Sequence, residues 1–133
     1  MTDIQVFLIL NLAFALKHLL ADYIFQTPYM LQKSKLHDWV LPLALHSAVH
    51  AGFTFMITLI SIIALDLPET HMWIPVFDFV IHFIIDRIKA SPNLLNRFTM
   101  DNKYFWWSLG VDQTLHHITH IFIAYYIIQG TLW

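Results

Sequence analysis

The chain has 133 residues, 58% of them apolar and only 12% charged, with a formal net charge of −2. Soluble domains carry about 25% charged residues, so an ordinary soluble domain is excluded, and with no basic cluster a nucleic-acid partner is excluded too. No cysteine is present, which removes disulfides, thiolate nucleophiles and Cys-based zinc sites.

Taken in chain order, the first apolar stretch, residues 4–26, reads as a helix. It carries His18, Asp22 and Gln26 at four-residue spacing, which puts them on one face. Lys17 beside His18 is read as snorkelling towards the interface, and Asn11 as a packing contact. The connection that follows holds Pro28, Lys33, Ser34, Lys35 and His37. The second stretch, 39–65, carries His46 and His50. A short acidic link with Pro68 and His71 leads to the third, 73–90, which carries Asp78, His82 and Asp86, then Arg87 and Lys89. Pro75 makes this stretch the weakest as a span. The fourth, 104–130, follows a connection with Pro92 and Arg97 and carries Asp112, Gln113, His116 and His120. His117 points about a quarter-turn away from that face.

Each stretch is near the roughly 20 residues needed to cross the bilayer core. All five tryptophans (Trp39, Trp73, Trp106, Trp107 and Trp133) fall at stretch ends, where one edge of the indole is wet and the other apolar. Lys33 and Lys35 in the first connection, and Arg97 and Lys103 in the third, face no basic residue in the second. The positive-inside rule then puts the first and third connections in the cytoplasm and both termini outside. Met1-Thr2-Asp3 lacks a positive n-region, so no cleavable signal peptide is expected. The expectation is an all-α, four-helix transmembrane bundle of antiparallel up-down topology, one domain over 1–133. It would sit in a bacterial inner membrane, or be phage-encoded and inserted there, with the lipid bilayer as its partner.

Alternating helix direction sorts the polar stripes into two layers. His18, His50, His82 and His116 lie deeper; Asp22, His46, Asp86 and Asp112 lie one turn, roughly 5.4 Å, nearer the cytoplasm. Ionisable groups in lipid are costly and face a protein interior, and four-helix bundles build metal sites from such inward-pointing groups. The eight residues are therefore expected to hold one or two divalent ions, zinc first, with iron or manganese as alternatives. Gln26, Asp78, Lys89, Gln113 and His120 are expected around them, orienting the ligands. Arg87 and Lys89 are placed to attract an anionic lipid headgroup.

The runs His18-Leu-Leu-Ala-Asp22-Tyr-Ile-Phe-Gln26, His46-Ser-Ala-Val-His50, His82-Phe-Ile-Ile-Asp86-Arg-Ile-Lys89 and Asp112-Gln113-Thr-Leu-His116 resemble small bacterial and phage membrane proteins of domain-of-unknown-function family 3307. That resemblance covers nearly the whole chain and implies a compact helical membrane domain, with no activity to carry over. A looser similarity is to membrane-bound metal-dependent hydrolases, although a clear DxDH run is missing here.

The functional expectation is a metal-dependent hydrolase acting on a lipid or lipid-linked phosphate or ester. Asp22, Asp86 and Asp112 would ligate, with one of them acting as base, and a bound ion would activate water. The alternatives are proton or divalent-cation transport, a redox centre, and a non-catalytic bundle held by a metal or a polar network. Gly52 and Gly110 form no GxxxG pair.

Overall fold

The computed structural model describes residues 1–130. Trp133, the last of the five tryptophans, lies outside the described residues. Four long helices account for most of the rest: α1 (Asp3–Leu19), α2 (Val40–Leu65), α3 (Ile74–Ala90) and α4 (Lys103–Gln129). No strand occurs among the described residues, so the all-helical expectation holds.

The helix ends follow from local chemistry. Thr2 and Gln5 form a reciprocal capping box: the Thr2 hydroxyl accepts from the Gln5 backbone N–H at 3.3 Å, and the Thr2 N–H donates to the Gln5 side chain at 2.9 Å. At its other end α1 runs into a π-helical turn, Leu20–Ile24, which carries Asp22. The helix expected to reach residue 26 stops there. Thr27 precedes Pro28 and is pushed out of the helical region by the ring. Helix α2 ends at Asp66, which takes a left-handed conformation (φ 53°), one that a short Asp side chain tolerates. Pro75 proves harmless, because it falls in the first turn of α3, where no intrahelical hydrogen bond is lost. Asn102 caps α4 by accepting from the Tyr104 N–H at 2.9 Å.

Contacts between side chains fix the directions. Residues 17, 54, 78 and 120 meet in one layer, and 22, 46, 86 and 112 in another. Numbers rise on α1 and α3 where they fall on α2 and α4, so neighbouring helices alternate in direction.

Polarity is inverted relative to a soluble bundle. The interior holds Lys17, His18, His46, His50, Asp78, His82, Asp86, Asp112, His116 and His120, all buried. The outside carries apolar rows: Leu8, Leu12, Leu16 and Leu19 on α1; Met56, Ile60 and Ile63 on α2; Val76, Val80, Ile84 and Ile88 on α3; Val111, Leu115, Ile118 and Phe122 on α4. An apolar core closes one end, around Val6, Leu10 and Phe14 with Leu67, Ile74, Ile123 and Ile127. Among the described residues, α1 with its π turn (22 residues) and α2 (26 residues) are long and apolar enough to cross a membrane. Helix α3 has 17 residues and four charged side chains, and the polar stripe of α4 dilutes its hydropathy.

Candidate metal centre

The four polar stripes converge. The rings of His18, His50, His82 and His116 form one cluster, with centroids 5.4 Å apart for His18–His50, 4.0 Å for His50–His82, 4.2 Å for His82–His116 and 5.0 Å for His18–His116. Four-residue spacing on each helix delivers the carboxylates beside them, one turn away.

Asp22 receives three imidazoles. Its oxygens lie 3.1 Å from His18 Nε2, 3.4 Å from His46 Nε2 and 3.1 Å from His50 Nε2. Donor atoms on a zinc ion at about 2.0–2.1 Å stand roughly 3.3 Å apart at tetrahedral corners, so the His46 and His50 separations suit ligands of one ion with Asp22. His46 Nε2 also lies 3.1 Å from Asp86 Oδ2, yet it makes no hydrogen bond to either carboxylate and is fully buried. Close approach without hydrogen-bond alignment is what a shared cation would leave between these groups.

A second group joins α3 and α4. His116 Nε2 is 3.1 Å from Asp86 Oδ1 and 3.4 Å from Asp112 Oδ1. Four sets have donor atoms within 4.8 Å of one another: Asp22–His46–His50, Asp86–Asp112–His116, His18–His50–His82 and Asp78–His82–His120. These clusters can bind a metal ion. Further support comes from unsatisfied buried atoms. Nδ1 of His18, His46, His50, His82, His116 and His120 has no hydrogen-bond partner, nor has Oδ1 of Asp78 or of Asp112. Each such atom costs about 1–3 kcal/mol when buried, and coordination would relieve several at once.

Gln113 sets the tautomer of His18. Its amide nitrogen donates to Asp112 Oδ2 at 3.0 Å, so its oxygen must face His18 Nε2, 3.1 Å away. His18 Nε2 therefore carries the proton, and its buried Nδ1 keeps the lone pair that a metal needs.

A family described as a protein of unknown function (DUF3307) matches residues 9–132. The chain belongs to this family. No curated protein and no solved structure matches it. The DUF3307 match spans all four helices and so contains every residue of the His and Asp layers.

Around these layers the DUF3307 bundle departs from several sequence expectations. Lys17 does not snorkel; it is buried, and its Nζ donates to Asp78 Oδ2 at 2.7 Å and lies 3.1 Å from His120 Nε2. Thr54, one turn beyond His50, donates to the same Asp78 oxygen at 2.7 Å. Lys33 reaches back from a 3₁₀ turn, Met30–Ser34, to Asp86 Oδ2 at 2.6 Å. Lys89 holds Asp112 Oδ2 at 2.7 Å. Arg87 is engaged elsewhere: its guanidinium stacks 3.7 Å from the Trp39 ring and donates to the Lys33 carbonyl at 3.3 Å. Gln26 lies past the end of the π turn and donates to the Asp22 carbonyl at 3.0 Å rather than to a ligand. His117, set aside on its helical angle, still brings its ring within 5.7 Å of His18. His71 is buried at a helix junction, its Nδ1 2.9 Å from the Pro68 carbonyl. Asn11 donates to the Phe7 carbonyl of its own helix at 2.8 Å.

Among the described residues, Asp78, Asp86 and Asp112 each have a lysine partner and Asp22 has none. Of these signals, only Thr54 continues a visible four-residue stripe; the lysine contacts depend on tertiary placement. A cavity of about 290 Å³ opens on the carboxylate layer, lined by Asp22, Asp86, Asp112, Lys33, Lys89 and Gln113 among others.

Proposed function

We propose that this chain is a four-span membrane protein with a divalent metal centre, acting as a hydrolase on a phosphate or ester group presented by a lipid. The observation that carries the metal is half-buried Asp22 with buried His46 and His50, donors at ligand spacing with no lysine ion-paired to the carboxylate among the described residues. His18, His82, Asp86, Asp112 and His116 complete the donor set from which a second ion could draw. Imidazole with carboxylate suits zinc, and iron or manganese after it.

A bound ion would supply Lewis acidity and activate water at neutral pH. The chain supplies the rest. His50 holds Asp22 from α2, its Nε2 3.1 Å from Oδ1. Gln113 holds the proton on His18 Nε2. Asp86 and Asp112, which face the cavity, are the candidate proton acceptors.

The membrane reading rests on the apolar rows that all four helices turn outward and on the two helices of spanning length. The basic connections support an orientation in a bacterial inner membrane with the cavity mouth towards the cytoplasm and both termini outside. From there the site would meet lipid headgroups.

A non-catalytic reading has its own support. Three Lys–Asp pairs already balance three of the four carboxylates, so a polar network can hold the bundle without an ion there. Elemental analysis separates the two. Protein purified without added metal should carry one or two zinc, iron or manganese ions per chain, and Asp22→Asn should lose the one at Asp22, His46 and His50. Less than about a tenth of an ion per chain would defeat the metal centre, since a formed site of this kind retains its ion. Release of phosphate or fatty acid from lipid, stopped by chelator and restored by metal, tests hydrolysis.

A further inference from the structure

Two lysines converge on the cavity from different elements. Lys33 comes from the 3₁₀ turn after α1 and Lys89 from the last turn of α3. Each ammonium sits on a carboxylate of the Asp86–Asp112–His116 donor set, at 2.6 Å and 2.7 Å. A divalent ion bound through Oδ1 of Asp86 and Asp112, the oxygens that face His116, weakens the hold of each Oδ2 on its ammonium, because the positive charges repel across a few ångströms. Lysine gives way easily: its charge is a point at the end of a flexible four-carbon stem. The Lys89 side chain is 36% exposed and that of Lys33 is 16% exposed, so both have cavity space to swing into.

Charge decides what the cavity accepts. Among the side chains that line the cavity, three carboxylates face two ammoniums, leaving one net negative charge that repels anions. A divalent ion on the carboxylates makes the balance positive by one and frees both ammoniums. At about 290 Å³ the space suits a phosphate group with a few attached atoms rather than a whole lipid.

We propose that Lys33 and Lys89 form a phosphate clamp that is set by the metal: the ion displaces them from Asp86 and Asp112, and they then hold the oxygens of a phosphate mono- or diester. The inference rests on the metal-centre reading. It adds an order of binding, metal first and anion second.

The test uses the full chain in detergent, with Zn²⁺ and inorganic phosphate as probes in equilibrium binding. Zinc should raise phosphate affinity by about tenfold or more, the worth of one or two charge-assisted hydrogen bonds. In Lys33→Met and Lys89→Met, zinc should bind at least as tightly as in the native chain, and the zinc-dependent gain in phosphate affinity should disappear. Lys33→Arg and Lys89→Arg, which keep the charge, should recover part of it, and an unchanged gel-filtration profile guards against misfolding. Zinc binding with no effect on phosphate, or a gain that survives both Met variants, overturns the clamp and leaves the metal centre standing. Failure to bind zinc at all overturns both. Repeating the measurement in nanodiscs with and without phosphatidic acid identifies the source. Competition by the lipid assigns a headgroup, and its absence assigns soluble phosphate.

Discussion

At the scale of single residues, the most consequential contact is the one between Lys17 and Asp78. Both side chains are almost fully buried, at 1% and 0% exposure, and their charges meet at 2.7 Å. Removing one partner of such a pair leaves a buried charge without compensation and costs about 3–5 kcal/mol, whereas replacing both can be near neutral. Lys17→Met and Asp78→Asn should each lower the unfolding midpoint in detergent markedly, and the double variant should recover much of the loss. Additive losses would show that the two groups are not coupled. Asp22 presents the opposite case. Its partners are imidazoles alone, so Asp22→Asn should affect metal content far more than stability.

Residues on the stripes were legible in the sequence, because four-residue spacing is a local property and survives folding. His18, Asp22, His46, His50, His82, Asp86, Asp112 and His116 meet as their depths imply. Lys89 was expected beside the ligands and holds Asp112, but the contacts of Lys17 and Lys33 were not legible. Nothing near Lys33 in the chain points to Asp86, fifty-three residues away. Lys17 sits between the inward and outward sides of α1, and only the position of Asp78 on another helix draws it in.

Helix interiors were readable from apolar runs, and helix ends less so. The π turn at Leu20–Ile24 has no signature of its own in composition; it depends on how α1 meets its neighbours. Such turns often occur at functional sites, and this one carries the carboxylate with the richest set of imidazoles. The junction between α4 and the α2–α3 link is similarly tertiary. A Cβ on Gly130 would come within 2.5 Å of His71 Nε2, and the His71 ring is held by the Pro68 carbonyl and packed on Tyr126. Gly130→Ala should therefore shift the ring and cost about 1–3 kcal/mol, the usual range for overpacking. Gly52→Ala meets nothing within 4 Å and serves as the control. Thermal unfolding of the two variants side by side checks this.

Seen whole, the molecule buries its His and Asp stripes between the helices and turns aliphatic rows outward. The membrane reading proposed above makes a topological prediction from that arrangement. The chain has no cysteine, so single cysteines report cleanly. A membrane-impermeant thiol reagent should label Lys35→Cys only after cells are opened, and should label Asp3→Cys in intact spheroplasts. The reverse pattern would invert the bundle, and equal labelling of both would remove it from the membrane. The all-helical class was legible because the four apolar stretches are each far longer than a strand.

The apolar end around Phe14, Leu10, Ile123 and Ile127 has a consequence for traffic. It closes the bundle at the end away from the carboxylate cavity. A ligand that came in from the carboxylate side would leave by that side, so a spent product and a fresh reactant would compete for one entrance. A catalyst shaped this way is slowed by its own product.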